Sequence, residues 1–325
     1  MKYIVTGGAG FIGSHLVEEL HKNKKNKIIV IDNLSNGRLQ NISKFKRIKF
    51  IKTDLAKNKK WEKYLKDVDC VFHLAALSDI IPSIENPRDY FDSNVVGSLN
   101  LMEACRKYKI KKIVYSASSS SYGIPKKFPT SESEKIVPLY PYAFTKFLGE
   151  QVCLHWGRIY KIDVISLRLF NVYGTRSRTN GNYGAMFGTF LSQKLNNKPY
   201  TIVGDGKQSR DFTYVSDVVN AFILASKSKF KNEIFNVGSG KHVKVKEIVK
   251  ILKGSVIRIP KRPGEPDITF ANISKIKKHL KWKPRINIKD GISYLLKDLK
   301  YWEKAPLWTP VKIKKATKSW FRYLK

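Results

Sequence analysis

The strongest constraint on the fold is a glycine-rich turn near the start of the chain. In Thr6-Gly7-Gly8-Ala9-Gly10-Phe11-Ile12-Gly13, the spacing GxxGxxG lies between an apolar strand, Tyr3–Thr6, and an amphipathic helix, Phe11–Leu20. Glycine allows so tight a turn, close packing of helix on strand, and approach of a diphosphate to the N–H groups at the helix N-terminus. The turn therefore predicts a dinucleotide-binding strand–turn–helix unit, and an ordinary tight turn is the alternative.

An acidic residue at the end of the next strand supports the dinucleotide interpretation. Asp32 ends the strand that begins at Lys27 and lies 19 residues beyond Gly13, close to the expected position of the acid. A carboxylate there accepts hydrogen bonds from the adenosine ribose hydroxyls and repels a 2′-phosphate, so the sequence favours NAD over NADP. Asp54, after the third strand, is suited to the adenine amino group, although a surface turn explains it equally well.

Apolar strands and amphipathic helices alternate through the first half of the chain. Further strands are predicted at Ile48–Ile51, Cys70–Leu74, Ile113–Ser116 and Asp163–Leu169, and helices at Asn94–Tyr108 and Tyr140–Tyr160. Strands joined by helical crossovers form parallel sheets covered on both faces. We therefore predict an α/β fold with a Rossmann-type doubly wound parallel sheet and a smaller C-terminal substrate-binding part.

The predicted domain boundary follows from a change in composition after Asn171, where glycines and turn-rich loops become frequent. We predict an NAD-binding domain over residues 1–170, to which segments near 210–237 return, and a mainly substrate-binding part over 171–308. Residues 309–325 are predicted to form a basic amphipathic helix that begins at Thr309-Pro310. Its Trp and Phe side chains would suit an anionic membrane surface, but we favour docking on its own protein.

The composition excludes several classes of protein. The 325 residues carry Lys+Arg 62 and Asp+Glu 26, a formal net charge of +36 at pH 7. Nucleic-acid-binding proteins concentrate such charge on one recognisable module, whereas lysine here is spread over almost every segment. We interpret the charge as a lysine-rich composition and expect no nucleic-acid partner, while noting that a basic surface attracts anionic small molecules such as nucleotides.

The patterns of cysteine, histidine and apolar residues argue against disulfides, metal sites and membrane-spanning segments. Cys70, Cys105 and Cys153 are odd in number and far apart, which argues against a disulfide framework and a thiolate zinc site. The histidines show no ligand spacing, so no metal is expected. The chain has no run of roughly 18 apolar residues and no basic-then-apolar segment after Met1. We therefore expect no transmembrane segment and a cytoplasmic location.

A tyrosine and a lysine four residues apart indicate acid–base chemistry. Tyr142 and Lys146 share one face of the predicted helix. A phenol has an ordinary pKa of about 10, and a nearby ammonium and a nicotinamide cation would both favour the phenolate. Upstream, a serine run that includes Ser118 follows a strand, where open α/β sheets bind ligands. A surface pair and a flexible linker are the alternative interpretations.

These motifs resemble the extended short-chain dehydrogenase/reductase family of nucleotide-sugar epimerases and dehydratases. The resemblance runs from Met1 to about Tyr301. Beyond the glycine turn and the Tyr–Lys pair, it rests on Asp32-Asn33-Leu34-Ser35-Asn36-Gly37, His73-Leu74-Ala75-Ala76, Asn94-Val95-Val96-Gly97, Arg168-Leu169-Phe170-Asn171-Val172-Tyr173-Gly174 and Gly204-Asp205-Gly206-Lys207-Gln208-Ser209-Arg210-Asp211-Phe212.

The resemblance implies a role for each motif residue. Tyr142 would be the catalytic acid/base, Lys146 would hold the nicotinamide ribose and tune Tyr142, and Ser118 would hydrogen-bond the sugar 4-oxygen. NAD would be held by Gly7, Gly10, Phe11, Ile12, Gly13, Asp32, Asn33, Asn36, Gly37, Asp54, Leu55, Leu74, Ala75, Ala76, Ser78, Asn94, Tyr142 and Lys146. The nucleotide-sugar would be held by Ser118, Asn171, Thr201, Val203, Arg210, Arg262 and Glu265.

Within this second set the resemblance assigns finer roles. Arg210 and Arg262 would clamp the diphosphate, for which a planar guanidinium fork is suited, and a turn-capping surface charge is the alternative for Arg262. Glu265 would meet the nucleotide ribose, and Thr201 and Val203 would line the base pocket. Asn171 would contact the diphosphate or the sugar.

The residues after Ser118 favour one reaction among those of the family. All members would begin by removal of the C4 hydroxyl proton by Tyr142 and transfer of the C4 hydride to NAD⁺. Dehydratases of the family carry an Asp-Glu pair after the Ser/Thr position, where this chain has Ser119 and Ser120. With no acid or base to drive elimination, the 4-keto sugar would turn over and take the hydride back on its other face. The sequence therefore favours a 4-epimerase.

The sugar and the assembly are less constrained. Thr269, at the place where a bulky tyrosine would exclude N-acetyl groups, favours a pocket that admits UDP-N-acetylglucosamine as well as UDP-glucose. Two residues depart from the pattern of the family: Ser78 stands where hexose epimerases often have a lysine, and Asn272 stands where an aspartate is usual. Family precedent implies a homodimer through the helices at Asn94–Tyr108 and Tyr140–Tyr160. The alternatives are another nucleotide-sugar enzyme of this scaffold, such as a dehydratase, a 4-keto reductase or another epimerase, and a non-catalytic NAD-binding or RNA-associated protein.

Overall fold

The computed structural model describes residues 1–177, 183 and 186–324. The strands in these residues are β1 (Lys2–Thr6), β2 (Lys27–Asp32), β3 (Ile48–Lys52), β4 (Cys70–His73), β5 (Lys112–Ser118), β6 (Asp163–Leu169), β7 (Asn171–Tyr173), β8 (Tyr200–Val203), β9 (Ser209–Arg210), β10 (Phe212–Tyr214), β11 (Glu233–Val237), β12 (Val243–Lys244) and β13 (Val256–Ile259). The α-helices are α1 (Phe11–Lys22), α2 (Ile80–Glu85), α3 (Pro87–Phe91), α4 (Gly97–Lys107), α5 (Pro141–Tyr160), α6 (Met186–Leu195), α7 (Val215–Lys227), α8 (Val245–Leu252), α9 (Ser274–Leu280), α10 (Ile288–Lys297), α11 (Pro310–Ala316) and α12 (Lys318–Tyr323).

Seven strands of the described residues form one parallel sheet in the order β11-β6-β5-β4-β1-β2-β3. Its central strands read as near-continuous apolar runs, which is typical of strands buried on both faces. In register, Val5 of β1 lies between Val30 of β2 and Phe72 of β4. The strand order reverses direction between β1 and β4, where open α/β sheets bind their ligands beyond the carboxyl ends of the strands.

Helices cover both faces of this sheet. On one face α1 and α7 pack on the strands through side chains such as Leu16 and Phe222, and on the other face α4 and α5 pack through Leu101 and Leu154. Helices on both faces of a parallel sheet define the doubly wound architecture. The predicted fold class is confirmed.

The smaller part begins after β6 and has a core of its own. Aromatic and aliphatic side chains of α6, α8, α10 and β8 meet there, among them Phe190, Tyr200, Ile248 and Leu295. The chain then returns to the large sheet, because β11 pairs in parallel with β6 at its edge. The two parts are therefore interlocked along the chain, and the domain boundaries at 170 and 308 stay a prediction.

The predicted helix at Asn94–Tyr108 corresponds to the end of a π-helical turn followed directly by α4, which ends at Lys107. A π-turn at Asp92–Val96 joins α3 to α4, and regular α-helix begins only at Gly97. A π-turn holds one extra residue and so rotates the side chains on either side of it relative to each other. The 3.6-residue period read from the sequence therefore does not extend through Asn94.

The helix predicted over residues 309–325 is interrupted at one residue, Thr317. The chain forms α11 and α12, separated at Thr317, and Lys325 lies outside the described residues. The Thr317 hydroxyl donates to the carbonyl oxygen of Ile313 at 2.8 Å, a local hydrogen bond of the kind that bends helices. Thr309 caps the N-terminus by accepting from the N–H of Lys312 at 3.4 Å.

The described ranges lack the membrane-spanning helices and metal clusters of other classes of protein. None of the helices there is long and apolar enough to cross a membrane. No group of three or more His, Cys, Asp or Glu side chains in the same residues is arranged to hold a metal ion. Cys70, Cys105 and Cys153 are free thiols buried in the core.

Candidate active site

A cleft of about 660 Å³ opens beyond the carboxyl ends of the parallel strands and continues under the smaller part. All the residues predicted to bind a dinucleotide or a nucleotide-sugar line this cleft, with the single exception of Asn94. Residues that are far apart in sequence, such as Gly7, Asp32, Tyr142 and Arg262, are thus brought to one site.

The glycine turn packs without room for side chains. A Cβ at Gly7 would lie 2.7 Å from the N atom of Ala75, and one at Gly13 would overlap the carbonyl oxygen of Gly7. Gly7 also has a φ of +68°, a left-handed conformation that favours glycine. Helix α1 begins after Gly10 with no side-chain cap. Its first-turn N–H groups are therefore oriented toward the cleft, where an anion is stabilised.

Asp32 stands at the end of β2 with its carboxylate held in place. The carboxylate accepts from the N–H of Ala9 at 3.0 Å and from that of Leu34 at 2.8 Å. Burial raises its pKa, and these two backbone hydrogen bonds lower it. Since each carboxylate oxygen has a second acceptor site, both can still accept from ligand hydroxyls. Beside it, the amide of Asn33 donates to Asp54 at 3.0 Å.

These features fit a dinucleotide such as NAD. The Cβ-free turn and the uncapped helix N-terminus suit its diphosphate, because they present N–H donors and the positive end of a helix dipole. The fixed Asp32 carboxylate at the end of the neighbouring strand suits its adenosine ribose. The site therefore has both the space and the donor and acceptor groups that this cofactor requires.

Tyr142 and Ser118 meet in the middle of the cleft. Ser118 is the last residue of β5, and Tyr142 lies in the first turn of α5; the phenol donates to the Ser118 hydroxyl at 3.3 Å. Ser118 in turn shares a 2.8 Å hydrogen bond with the hydroxyl of Ser120. Burial raises the pKa of Tyr142, the two serine hydroxyls lower it, and Asp79 raises it. A connected chain of hydroxyls is therefore ready to hold and pass a proton.

Lys146 follows one turn later on the same face of α5. Its side chain is 5% exposed, and its ammonium lies 4.5 Å from the centre of the Tyr115 ring. Burial lowers its pKa to about 8, against the opposing influence of Cys153 and Glu150. The role of Lys146 in lowering the pKa of Tyr142 stays a prediction; in the structure burial raises that pKa and the serine hydroxyls lower it. An added cation beside the phenol would be needed to favour the phenolate.

The buried ammonium predicts a pH-dependent stability. Lys146 has a folded pKa of about 8 against an ordinary value of 10.5, so between these values this group binds more protons in the unfolded chain, and its contribution to the free energy of unfolding should rise with pH. The slope of this contribution should be about 1 kcal/mol per pH unit. Denaturant unfolding of the wild type and of Lys146→Met isolates it: the difference between their free energies of unfolding should change with this slope, and a difference independent of pH would contradict a buried titrating ammonium.

At the substrate end of the cleft one carboxylate joins two arginines. Glu265 accepts from Arg210 at 2.8 Å and from Arg262 at 2.8 and 3.1 Å. The side chains are 10, 13 and 18% exposed for Arg210, Arg262 and Glu265. Two guanidinium groups share one carboxylate, so the group keeps a surplus positive charge facing the cleft. Such a group can attract an anion such as a diphosphate.

The remaining predicted substrate contacts lie on neighbouring walls. Asn171 accepts a 2.8 Å hydrogen bond from the hydroxyl of Thr269, so these two residues form one wall together. Thr201 and Val203 belong to β8, and the Thr201 hydroxyl is already held by the amide of Gln193 at 2.9 Å. The Thr201 hydroxyl therefore contributes to a preformed wall of the cleft.

The assignment of Asn94 to direct cofactor contact is not supported by its position. Its side chain accepts from the N–H of Leu77 at 2.8 Å and donates to the Leu77 carbonyl at 3.0 Å and to Thr145 at 3.0 Å. Asn94 is 1% exposed, and its amide bonds to the segment after β4 instead of lining the cleft. Asn94 therefore ties the cleft-lining segment around Ala76 to helix α5.

Sequence reasoning missed several aromatic residues of the cleft, and three of them lie near its reacting and substrate-binding groups. Tyr140 stacks on Tyr142 with ring centres 6.3 Å apart and an angle of 9°, and Trp320 lies 6.3 Å from Tyr140. Tyr183, whose neighbours in sequence lie outside the described residues, is the third. None of them belongs to a recognisable motif; only the apolar face of the C-terminal segment indicated that Trp320 would be buried.

A comparison with family models now decides the identity. The model described as the NAD dependent epimerase/dehydratase family matches residues 3–238. The chain belongs to this family. The resemblance read from the motifs is thereby confirmed, and so is NAD as the cofactor, which agrees with the fit of the glycine turn and Asp32.

Relatives and solved structures narrow the reaction class. The chain is 39% identical over 305 residues to a putative UDP-glucose 4-epimerase of Methanocaldococcus jannaschii. The alignment covers 91% of this chain and 98% of the relative. It is 35% identical, with a TM-score of 0.85, to a UDP-N-acetylglucosamine 4-epimerase of Methanobrevibacter ruminantium, covering 91% of this chain and 98% of that one. A UDP-glucuronic acid 4-epimerase of Bacillus cereus, in complex with UDP-glucuronic acid and NAD, is 33% identical with a TM-score of 0.86, covering 92% and 99%. These family members act on UDP-sugars and differ in the sugar.

Proposed function

We propose that this family member is an NAD-dependent 4-epimerase of UDP-hexoses, which interconverts UDP-glucose and UDP-galactose or the corresponding N-acetyl pair. The observation that carries the proposal is the hydrogen bond between the Tyr142 phenol and Ser118, at 3.3 Å, inside a cleft that fits a dinucleotide. The three relatives described above, each named as a 4-epimerase of a UDP-sugar, support the same reaction class.

In the proposed reaction Tyr142 takes the proton of the sugar C4 hydroxyl while Ser118 holds the 4-oxygen by a hydrogen bond. When bound, NAD supplies a hydride acceptor at C4 that later gives the hydride back, so the sugar is neither oxidised nor reduced overall. Lys146 holds the nicotinamide ribose. Tyr142 then returns its proton to the 4-oxygen of the inverted sugar, as a general acid whose role reverses that of the first step.

The residues beside Tyr142 limit the reaction to epimerisation. The two positions after Ser118 are Ser119 and Ser120, and both line the cleft. Neither can remove a C5 proton or protonate a leaving hydroxyl at neutral pH, so elimination is not driven. The 4-keto sugar therefore turns over in the cleft and receives the hydride on its other face.

Substrate anchoring is proposed to come from the arginine pair. Arg210 and Arg262, held together by Glu265, would bind the diphosphate oxygens in bidentate fashion. A diphosphate anchored there would let the sugar swing while the nucleotide stays in place. Thr269, a small residue on the cleft wall, would leave room for an N-acetyl group at C2.

A panel of nucleotide-sugars tests the function. Purified protein should invert C4 of UDP-glucose or UDP-N-acetylglucosamine without added reductant, as read by NMR. Sustained consumption of NADPH would instead indicate a 4-keto reductase, and loss of water from the sugar would indicate a dehydratase. Inversion of UDP-glucuronic acid alone would correct the sugar and leave the reaction class intact.

We also propose that the protein is a homodimer joined through α4 and α5. These helices pack against each other, and α5 carries large apolar side chains on its outer surface, such as Phe144 at 48% and Ile159 at 58% exposure. Sedimentation should give a dimer at micromolar concentration, and Phe144→Asp should shift it toward monomer. A wild type that sediments only as a monomer would contradict the proposal.

A further inference from the structure

The C-terminal segment, residues 309–324, is a helix bent at Thr317 that packs at the mouth of the cleft. Ile313 of α11 and Trp320 of α12 are buried in one apolar cluster with Ile81 of α2 and with Val203 and Ile259 of the smaller part. The hydroxyl of Ser319 donates to Glu85 at 2.9 Å. The C-terminal segment lies beyond the residues that the family model matches, 3–238, so its role is not given by the family assignment.

Trp320 is the residue through which the C-terminal segment contacts the cleft. It is 4% exposed and lines the cleft. Its indole N–H donates to the carbonyl oxygen of Pro263 at 2.7 Å, which fixes the loop that carries both Arg262 and Glu265. Its ring lies 5.1 Å from the Arg262 guanidinium, and the Tyr183 ring lies 5.5 Å from the same guanidinium.

These contacts restrict Arg262 to one orientation. A planar guanidinium near two aromatic rings is held by cation–π attraction, strongest where water is excluded. Glu265 occupies the Nε and one Nη of Arg262. The remaining N–H groups are then fixed in direction before any substrate arrives, and such preorganisation removes part of the entropy that binding would otherwise cost.

We propose that Trp320 is a positioning residue that prepares Arg262 for the diphosphate of the nucleotide-sugar. The inference rests on the proposed function, because it takes a nucleoside diphosphate as the ligand of Arg262. It goes beyond that function by making the C-terminal segment a part of the substrate site. This segment also carries exposed cationic side chains, which would attract a diphosphate. They are Lys312, Lys314, Lys315, Lys318 and Arg322.

Binding of UDP, measured by calorimetry on the full-length protein with its NAD, tests the proposal. Trp320→Ala should weaken UDP binding and raise KM about tenfold, with kcat within about twofold and NAD content unchanged. Trp320→Phe keeps an aromatic ring over Arg262 and should recover most of the affinity. Phe321→Ala, at the next position and 38% exposed, is the matched control and should bind UDP like the wild type.

A double-mutant cycle separates positioning from general support of the fold. If Trp320 acts through Arg262, the losses of Trp320→Ala and Arg262→Gln should not multiply when combined. Losses that multiply, or UDP affinity unchanged by Trp320→Ala in a wild type that binds UDP, would overturn this inference alone. A wild type that binds no UDP would overturn the proposed function and this inference with it. Thermal unfolding of each variant verifies that it is folded.

Discussion

Tyr142→Phe is expected to lower kcat about a thousandfold, because it removes the group proposed to exchange a proton with the C4 hydroxyl. The phenyl ring keeps the stacking on Tyr140 and the edge contact with Tyr90. The cleft should therefore keep its shape, and the affinities for NAD and UDP should change little. NMR of C4 inversion, with NAD content and UDP affinity measured on the same preparation, gives the three quantities.

The matched control is a hydroxyl elsewhere on the same helix. Tyr160→Phe changes the last residue of α5, which is 42% exposed and lies at the opposite end of the helix from Tyr142. Its turnover should equal that of the wild type. Tyr142→Phe with wild-type turnover would show that the phenol is not the acid/base and would remove the proposed mechanism.

Glu150→Gln is expected to destabilise the protein by about 3–5 kcal/mol, since it leaves a buried arginine without its counter-charge. Glu150 and Arg168 are 2% and 3% exposed, and the guanidinium donates to both carboxylate oxygens, at 2.6 and 3.0 Å. Ser166 donates to the same carboxylate at 2.8 Å. The change in the free energy of unfolding can be measured with guanidinium chloride.

An exposed ion pair serves as the control for this substitution. Glu19 accepts from Lys22 at 2.6 Å on the surface of α1, with side chains 46% and 69% exposed. Glu19→Gln should leave stability almost unchanged, because water screens exposed pairs. Equal losses for the two variants would mean that burial of the Glu150–Arg168 pair contributes nothing. Because Glu150 also raises the pKa of Lys146, Glu150→Gln should lower that pKa further.

The parts of the site that could be predicted from sequence are those with a local geometric requirement. The glycine turn admits no side chain, and an acid near Asp32 must end the adjacent strand to reach a ribose, so spacing alone indicated both. Tyr142 and Lys146 share a helix face because their separation is one turn. Ser118 could be placed because parallel strands all end at the same edge of the sheet.

The rest depended on contacts between distant segments. The π-turn at Asp92–Val96 changes the helical phase, and nothing in the apolar period marks it. The family resemblance alone assigns Asn94 to the cofactor, whereas its side-chain amide bonds to Leu77 and Thr145. Trp320 reaches the cleft because α12 packs against α2 and bonds to the carbonyl oxygen of Pro263. The sharing of Glu265 by Arg210 and Arg262 likewise requires loops that lie far apart in the sequence to meet.

The late return of β11 has a consequence for biosynthesis. As the chain leaves the ribosome, β6 emerges well before Glu233–Val237, so its outer edge stays without a partner during that interval. An unpaired strand edge invites association with other chains. An N-terminal fragment ending near residue 170 would keep this edge for good and should aggregate, whereas the complete polypeptide closes it with its own segment.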